Sequence, residues 1–437
     1  MTNIKRANQA HAYRMLQCLT VAIRPLTVAE LAELLAFDFD VAEGEMPKLK
    51  PNWRWEDHEQ AILSTCSSLV TVVPQHYGSP VVQFSHFSVK EFLMSDRLAT
   101  SRRDISQYHI SLEDAHLLLT RASLAILLSD PDANTHSDNA PLAKYAAEHW
   151  VTHSQVKSVA LQVRDGMQCL FDPDKPYFEA WIKLHDIDSF EYSSVPPDPE
   201  PGARPLYYAA LGGFHALVER FILKYPQCAS ARGGLCGTAL HSASFSGHLQ
   251  VVRYLLRQGV DVNVRNTEGD TPLLLASLEG HLDVVQCLVD HGANLDLCDK
   301  GHSSPLMLAV CYGHVDIVRL LLEHNADVNS QDCRDQTALH DAIGRCTIKA
   351  NRSQIVRLLL KHGANANARD LGHQTPLHLV SKLSYSPDLL DVLGMLLEHG
   401  ADLDVEDKDG KTPLQLSLDG EVTRLLTEYS TTKSMSR

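Results

Sequence analysis

The sequence lacks the features that mark membrane-spanning, secreted and disulfide-bonded proteins. No apolar run approaches the ~18 residues that a membrane-spanning helix needs. Residues 1–14 contain neither the apolar core of a signal peptide nor a small-residue cleavage site. The ten cysteines are scattered and form no Cys-x-x-Cys pair. These absences predict reduced thiols and a cytoplasmic protein without a membrane anchor, with the nucleus as an alternative location.

The chain also lacks a run of basic residues. Its formal charge is −15, with 17 lysines and arginines against 27 acidic residues before residue 203 and 22 against 27 after it. Because phosphate backbones attract basic surfaces, an acidic chain without a basic cluster is a poor match for nucleic acid. The composition therefore favours a protein partner over nucleic acid.

Motifs for nucleotide, metal or catalytic chemistry are absent or incomplete. The Gly-Lys-Thr tripeptide at 410–412 has Val405 where a phosphate loop needs glycine. His149 and His153 have a spacing that zinc accepts, but no metalloprotease glutamate lies between them, so we interpret them as helix-surface residues. Residues 407–410 lack the first ligand and the distal glutamate of a calcium loop. We predict no cofactor, no metal, no small-molecule substrate and no enzymatic activity.

What the sequence does contain is a repeat of 33 residues in its second half. A threonine or serine recurs at spacings of 33, 33, 33, 38 and 37 residues, at Thr238, Thr271, Ser304, Thr337, Thr375 and Thr412. In the clearest copy Thr271 precedes Pro272, as an N-cap residue precedes the first residue of a helix. Apolar residues at helical spacing follow, and Gly280 and Gly292 end two short helices. One copy cannot bury its apolar faces alone, so successive copies must stack as a solenoid.

The motifs of this repeat resemble the ankyrin repeat. They are Thr-Pro-Leu-His at 375–378, Thr-Ala-Leu-His at 238–241 and 337–340, and recurrent Gly-His and Gly-Ala pairs. The resemblance covers residues 203–429 with about seven repeats, and it implies a mainly α stack whose hairpin fingers and first helices line a concave side. The motif histidines are expected to hydrogen-bond to neighbouring loops; they are His241, His281, His314, His340 and His378.

Two repeats are interrupted and the last one is incomplete. Insertions at 346–350 and near 384–387 fall at the same joint between two helices, so the two loops should emerge side by side. The apolar face of the last helix ends after Leu426, which predicts a capping repeat followed by a disordered tail at 430–437.

The ankyrin resemblance implies that a protein partner binds the finger tips and the exposed ends of the first helices. One position at these helix ends is apolar in four successive repeats, which favours a docking stripe and packing between repeats about equally. The predicted partner-binding residues are Leu211, Phe245, Leu278 and Cys311 in this stripe, Glu279, Tyr312 and Arg345 beside it, and Glu268, Asp270, Lys300 and Arg334 on the fingers.

The first 200 residues contain no repeat. Their patterns predict helices at 12–22, 28–35 and 58–66, strands at 69–73 and 81–84, and a further helix at 86–93. Thr27 and Glu30 have the spacing of a capping box at the start of the second helix. Three helices followed by two strands is the order of a winged-helix domain.

Segments 23–32, 66–70 and 84–93 are similar to the region that follows the NTPase core in fungal NACHT-ankyrin proteins, and motifs between 108 and 176 resemble its helical connector. The resemblance predicts a winged-helix-like domain at 1–105, a helical connector domain at 106–192 and a proline-rich linker at 193–202. It implies a NACHT-like signalling protein that lacks the NTPase core.

The leading interpretation is a non-enzymatic recognition and scaffold protein whose ankyrin stack senses a protein partner. The alternative is a transcriptional regulator whose winged helix binds DNA. Against that alternative, the predicted recognition helix at 53–62 is acidic, whereas helices that enter the DNA groove use arginine and lysine.

Overall fold

The computed structural model of the 437-residue chain describes residues 9–42, 45–50, 53, 60, 62–63, 66, 68–75, 78–101, 106–129, 140–156, 158–188, 202–383 and 387–435. The chain divides into two compact units, Met1–Val195 and Pro196–Arg437. This division falls inside the linker predicted at 193–202, of which residues 193–201 lie outside the described part of the chain.

The first unit combines helices with a small sheet. Its elements in chain order are α1 (Gln9–Val21), β1 (Leu26–Thr27), α2 (Val28–Leu35), β2 (Phe37–Asp38), β3 (Lys48–Leu49), β4 (Val70–Val73), β5 (Val81–Phe84), α3 (Phe87–Leu93), α4 (Asp96–Ala99), α5 (Leu112–Leu127), α6 (Leu142–Ser154), α7 (Val159–Gln162), α8 (Arg164–Leu170) and α9 (Tyr177–Leu184). Strands β2 and β3 form a separate antiparallel pair.

A winged-helix domain occupies the N-terminal part of this unit. Its antiparallel sheet has the order β1-β5-β4, with Leu26 opposite Val82 and Val70 opposite Phe84. The strands β4 and β5 confirm the two predicted from sequence, whereas β1 was missed because two residues carry no alternating pattern. The helix predicted at 58–66 and the recognition helix predicted at 53–62 lie outside the described residues apart from isolated positions.

The predicted capping box at the start of α2 is confirmed. The Thr27 hydroxyl accepts a hydrogen bond from the Glu30 backbone N at 3.2 Å, and the Glu30 carboxylate accepts one from the Thr27 backbone N at 2.7 Å. Two amides that the first helical turn leaves without partners are thereby satisfied. The sequence-local signal was sufficient here because both partners lie within three residues.

The core of the first unit lies around α5, α6 and α9. Helix α5 packs against both α1 and α6, so contacts cross the boundary predicted at residue 105, and that finer division stays a prediction. Trp150 and Trp181 are fully buried, and their rings meet edge to face with centroids 5.3 Å apart. The Trp181 indole Nε1 donates to the Ala147 carbonyl at 3.1 Å, which satisfies its polar atom inside the core.

The second unit is a succession of helix pairs. Its helices in chain order are α10 (Ala203–Leu211), α11 (His215–Lys224), α12 (Ala239–Phe245), α13 (Leu249–Arg257), α14 (Pro272–Glu279), α15 (Leu282–Asp290), α16 (Pro305–Tyr312), α17 (Val315–Glu323), α18 (Ala338–Gly344), α19 (Arg352–Lys361), α20 (Pro376–Lys382), α21 (Pro387–Glu398), α22 (Pro413–Leu416) and α23 (Gly420–Met435). Two short strands, β6 (Arg232–Gly234) and β7 (Gly237–Thr238), form an antiparallel pair before α12.

Each first helix packs on the first helix of the next pair, and each second helix from α11 to α19 packs on the next second helix. The recurrent residues of the repeat explain where its helices begin and end. Thr271 caps α14 by accepting from the Leu274 backbone N at 3.3 Å, with Pro272 as the first helical residue. Gly280 ends that helix at φ 84°, a left-handed conformation that favours glycine. A Cβ there would also lie 2.5 Å from Cε1 of His314, so two separate demands select this glycine.

The insertion in the fifth pair takes the place of the histidine that follows the glycine in earlier pairs. The Thr347 backbone N donates to the Cys311 carbonyl at 2.8 Å, and Ile348 lies against Gly313, where the imidazoles of other copies lie. Residues 384–386 of the second predicted insertion lie outside the described residues, so the expectation of adjacent loops stays a prediction.

The end of the chain differs from the expectation. Helix α23 continues to Met435, whereas the sequence predicts a disordered tail from residue 430. Val422 and Leu426 are fully buried, and Tyr429 donates its hydroxyl to the Leu397 carbonyl at 3.2 Å. The helix therefore makes a contact beyond Leu426, where the predicted apolar face ends, and the apolar pattern did not indicate it. No helix in the described part of the chain combines the length and apolar character that crossing a membrane requires.

Candidate partner-binding surface

The finger hairpins of successive repeats are joined by a ladder of backbone hydrogen bonds. In each rung an N–H of one finger donates to a carbonyl of the preceding finger at 2.9–3.1 Å, and the rungs are Lys300 to Glu268, Cys333 to Gly301, Leu371 to Arg334 and Lys408 to Gly372. Because main-chain atoms form the ladder, side chains at these positions are free to differ between repeats. The finger tips therefore form a continuous frame with variable chemistry.

A second ladder runs through the loops that follow the second helices. There a side-chain oxygen accepts from a backbone N of the next repeat at 2.7–2.9 Å, and the accepting residues are Asn263, Asp296, Asn329 and Asn367. The residue two positions earlier caps the local turn in each case: a side-chain oxygen of Asp261, Asn294, Asp327 or Asn365 accepts from the backbone N of the ladder residue at 2.9–3.0 Å. Both ladders hold neighbouring repeats in one register.

The histidines of the Thr-x-Leu-His motifs serve as structural links. In His241 the ring Nδ1 accepts from the Thr238 backbone N at 3.2 Å, so Nε2 carries the proton and donates to the Asp270 carbonyl of the next finger at 3.1 Å. His340 and His378 make the same pair of contacts, to the Gln374 and Lys411 carbonyls. Burial lowers the pKa of His241 to about 4, which keeps the ring neutral.

The histidines of the Gly-His pairs form a second set. His248, His281 and His314 donate from Nε2 to the carbonyls of Leu211, Phe245 and Leu278 at 2.9–3.0 Å. The expected hydrogen bonding of the repeat histidines to neighbouring segments is therefore confirmed. Each bond spans from one repeat to the one before it, so these rings hold the stack together and are not arranged as a catalytic cluster.

The four residues of the predicted apolar stripe lie at equivalent ends of successive first helices. The side chains of Leu211, Phe245, Leu278 and Cys311 are each half-buried. Their carbonyls all accept an interrepeat hydrogen bond, three from the histidines above and one from Thr347. Half-burial is compatible both with packing between repeats and with docking, so the binding role of the stripe stays a prediction.

The predicted residues next to the stripe and on the fingers of the third and fourth repeats differ in their exposure and in the contacts they already make. Glu279 is exposed, and the Tyr312 side chain is 43% exposed. Glu268 and Lys300 form an exposed ion pair at 3.3 Å between neighbouring fingers. Asp270 accepts from the Asn266 side chain at 2.9 Å, and burial raises the pKa of its carboxyl group. Asp270 is thus partly engaged in its own finger.

The fifth repeat brings Arg334 and Arg345 together through two buried carboxylates. Arg334 contacts Oδ2 of Asp332 through Nη2 at 3.2 Å, and Arg345 Nη1 lies 3.7 Å from the same oxygen. Arg345 Nη1 also donates to Oδ1 of Asp341 at 3.0 Å. Burial raises the pKa of Asp341 to about 6 despite the neighbouring arginines. Two guanidinium groups are therefore held side by side at the surface by carboxylates beneath them.

Asp332 and Asp341 were missed by the sequence analysis. A signal for Asp341 exists, because the second, third, fourth and sixth copies have Ser242, Leu275, Leu308 and Leu379 at its position. A carboxylate in a position that is otherwise leucine or serine requires a nearby cation, and Arg345 is one helical turn away. For Asp332 no such signal exists, since Asp299, Asp370 and Asp407 occupy the equivalent place in other fingers.

The interpretation of His149 and His153 as helix-surface residues is wrong for His153. This ring is fully buried, with Nδ1 joined to Nδ1 of His116 at 2.8 Å and Nε2 joined to the Tyr145 hydroxyl at 2.9 Å. Sequence spacing gives the helical face of a residue but not the depth at which that face packs. Among the described residues, no group of three or more His, Cys, Asp or Glu side chains is placed to hold a metal ion.

The remaining motifs belong to the repeat. Thr412 of the Gly-Lys-Thr tripeptide caps α22 by accepting from the Gln415 backbone N at 3.4 Å. Oδ1 of Asp407 accepts from the backbone N of Asp409 and of Lys411, both at 3.0 Å. The tripeptide is thus part of a finger and a helix cap.

Stacked helix pairs, finger hairpins and capping threonines together define a helical-repeat protein. The family model "Ankyrin repeats (3 copies)" matches in overlapping segments at 183–266, 258–332, 297–370, 330–407 and 347–435. These segments cover more than half of the sequence, and the chain belongs to the ankyrin-repeat family. Residues 1–103 match the model "GPI inositol-deacylase, winged helix domain". A winged helix followed by ankyrin repeats is consistent with the order of the NACHT-ankyrin proteins.

The chain is similar to "Azaphilone pigments biosynthesis cluster protein L" of Monascus ruber, with 30% identity over 260 residues, which are 54% of this chain and 53% of the relative. The chain therefore spans about half the length of the curated relative it matches. Among solved structures it is similar to the ankyrin repeat domain of human ASB11 (26% identity, 52% of this chain and 97% of that one, TM-score 0.42) and to that of Bcl-3, a member of the IkappaB family (27%, 51% and 97%, 0.46). An ankyrin repeat domain from Acinetobacter baumannii has 32% identity over 45% of this chain and 98% of its own, with a TM-score of 0.42.

Proposed function

We propose that this protein is a non-enzymatic recognition and scaffold protein whose ankyrin repeats capture a protein partner on their concave face. The observation that carries the proposal is the contrast between constant and variable positions within one chain. The caps, histidines and backbone ladders recur from repeat to repeat. One finger position instead varies. Two residues after the Asn or Asp that begins each finger, successive repeats carry Glu268, Gly301, Arg334, Gly372 and Asp409. A rigid frame that presents varied side chains suits selective binding of one protein surface.

The partner-binding residues of this proposal are the helix-end stripe and the fingers. Leu211, Phe245, Leu278 and Cys311 supply apolar contact at the centre, with Tyr312 beside them. Half-buried apolar side chains bordered by charged finger residues have the composition of an interface core with a polar rim. Docking here would complete the burial of the stripe without opening the repeat core.

The first unit has a transmitting or scaffolding role in this proposal, as in a NACHT-like signalling protein. The support is the order of the two units, a winged helix followed by ankyrin repeats. We assign it no catalytic step, and we place the protein in the cytoplasm. Proteins, and not DNA, are its proposed partners, since the net charge is −15.

The test compares Leu278→Arg with Leu282→Arg in the tagged full chain. Leu282 is 40% exposed at the start of the second helix of the same repeat and serves as the matched control. We expect Leu278→Arg to abolish capture of a partner from extract of the source cells, because a buried interface rejects an unpaired charge. The control variant should capture the partner as the wild type does, and the thermal unfolding of both variants should match that of the wild type.

A photo-crosslinking amino acid at position 279 or 290 locates the contact directly. Glu279 and Asp290 are both exposed, at the ends of the first and second helix of one repeat. Crosslinks from 279 alone are the expected result. Equal capture by Leu278→Arg, or crosslinks from 290 alone, would move the interface off the proposed face. A large fall in the thermal stability of Leu278→Arg would assign that residue to the core.

A further inference from the structure

The exposed charges on the proposed binding face change sign along the stack. The third repeat presents the exposed acidic residues Glu268 and Glu279 there, together with the half-buried Asp270. The fifth to seventh repeats present mainly basic residues at finger and helix-end positions, with Arg334, Arg345, Lys382, Lys408 and Lys411 against Asp335 and Asp409. All seven of these side chains are exposed. The chain is acidic as a whole, so this local excess of positive charge runs against its average.

Arg334 and Arg345 are the most precisely held of these cations. Arg345 uses Nη1 for Asp341 and Asp332, and in the described structure Nε and Nη2 have no acceptor; the side chain is 42% exposed. Arg334 uses Nε and Nη2 for Asp332, at 3.4 and 3.2 Å, and leaves Nη1 open; its side chain is 51% exposed. Each guanidinium group thus has one edge fixed and another edge facing solvent.

The finger does not need these arginines for its own structure. Oδ1 of Asp332 accepts from the backbone N of Arg334 and of Gln336, at 2.8 and 2.9 Å. Asp370 in the next finger makes the equivalent two backbone contacts, at 2.8 and 2.9 Å, and has no arginine on it. The same finger geometry is therefore formed without a cation.

Asp341 is the second unusual element. It replaces a leucine or serine of the other repeats, and its raised pKa shows that burial disfavours its charged form. Burying a carboxylate in an otherwise apolar position costs folding free energy, and such a cost is typical of residues that serve a function. Its hydrogen bond to Arg345 orients that guanidinium group before any ligand arrives, which reduces the entropy lost on binding.

We propose that the face of repeats five to seven binds an acidic segment of the partner, with a carboxylate received by the exposed edges of Arg334 and Arg345. This inference rests on the proposed function and specifies the chemistry of the partner. The Nε–Nη2 edge of Arg345 has the fork geometry that a carboxylate accepts in two parallel hydrogen bonds. Tyr312 and Leu371, 43% and 50% exposed on the neighbouring repeats, suit apolar residues on either side of the acidic one.

The experiment uses the full chain and a random peptide library displayed on phage. We expect enrichment of peptides that carry aspartate or glutamate next to an apolar residue. An enriched peptide is then labelled, and its affinity is measured by fluorescence polarisation against wild type, Arg334→Gln/Arg345→Gln and the control Arg319→Gln. The Arg319 side chain is 44% exposed on the second helix of the fourth repeat and forms an ion pair with the exposed Asp316 at 3.5 Å.

Loss of affinity in the double variant by about tenfold or more, with the control close to wild type, is the expected result. Replacing the acidic residue of the peptide by its amide should cause a similar loss. Because the double variant leaves two buried carboxylates unpaired, Asp341→Leu/Arg345→Gln provides a second test. This variant restores the leucine of other repeats, so it should fold. Its affinity for the acidic peptide should still be reduced.

Three outcomes would overturn the proposal: no enrichment, enrichment of basic peptides, or unchanged binding of the acidic peptide by both arginine variants. These failures differ from a failure of the proposed function. If Leu278→Arg abolishes partner capture while the arginine variants bind normally, the face is a binding surface and only its preference for acidic segments is wrong.

Discussion

Histidine has different uses in the two units of this protein. In the first unit His153 belongs to a buried chain of contacts that occurs once, from His116 through His153 to Tyr145, whose hydroxyl accepts from the Ile23 backbone N at 3.2 Å. In the second unit the histidines at one motif position make equivalent hydrogen bonds in different repeats, as His241, His340 and His378 do. The difference is one of range: Tyr145 and Ile23 are 122 residues apart, whereas His241 and Asp270 are 29 apart.

This contrast has a consequence for stability. A unit built from contacts of long sequence separation forms its core together, whereas a solenoid depends on each repeat and its nearest neighbours. A destabilising substitution should lower the stability of the whole first unit, whereas in the second unit its effect should stay more local. All four tryptophans precede residue 182, so tryptophan fluorescence reports on the first unit alone.

The largest effect is expected for Trp181→Ala. This change removes a fully buried ring in contact with Trp150 and Phe171, together with the hydrogen bond to Ala147, and should lower the free energy of unfolding by about 3–5 kcal/mol. Denaturant unfolding followed by the fluorescence of the remaining tryptophans measures it. Phe87→Ala is the control, since that ring is 69% exposed. A small effect for Trp181→Ala would mean that the aromatic cluster is not the centre of the first unit.

Leu288→Ala tests the second unit in the same way. Leu288 is fully buried on α15, and the cavity should cost about 2–5 kcal/mol in the unfolding of the repeats. Circular dichroism follows this loss of helix, while the tryptophan transition should not move. Leu282→Ala, on the exposed start of the same helix, should leave both signals unchanged. A shift of the tryptophan transition by Leu288→Ala would contradict independent unfolding of the units.

Acid should destabilise the first unit through His153. Burial, with the neighbouring His116 and His149, lowers the pKa of His153 to about 3, so the folded state favours the neutral ring. The stabilisation is complete above the unfolded pKa of about 6.5 and is lost as pH falls towards 3, with a loss of about 2 kcal/mol already at pH 5. Tryptophan-detected unfolding at pH 7 and pH 5 measures it. His153→Gln should show a smaller change between the two pH values; an equal change would assign the acid sensitivity to other groups.

The smallest effect is expected for His281→Ala. It removes one interrepeat bond, from Nε2 to the Phe245 carbonyl at 2.9 Å, and leaves that carbonyl without its partner, at about 1–2 kcal/mol. His215→Ala is the matched control, since the His215 side chain is 40% exposed. Circular dichroism should show a lower midpoint for His281→Ala only. A broadened transition would indicate that the repeats had begun to unfold separately, which sharpens the comparison with the first unit.

The repeat architecture, the helix caps and the structural role of the motif histidines could be predicted from sequence. The reason is physical: Thr271, Pro272 and Gly280 act within one helix, and the histidines act on the adjacent repeat, so a pattern of fixed period contains both partners. The capping box of Thr27 and Glu30 was predictable for the same reason.

What required the tertiary structure was contact between residues that no period relates. The burial of His153 depends on α5 packing against α6, and the third strand of the winged helix depends on Leu26 pairing with Val82. The clustering of Arg334 and Arg345 over Asp332 and Asp341 depends on a finger lying over the end of a first helix. Sequence patterns record which face of a helix is apolar. Which polar groups end up sharing that face, and how deeply, is decided only when the elements pack.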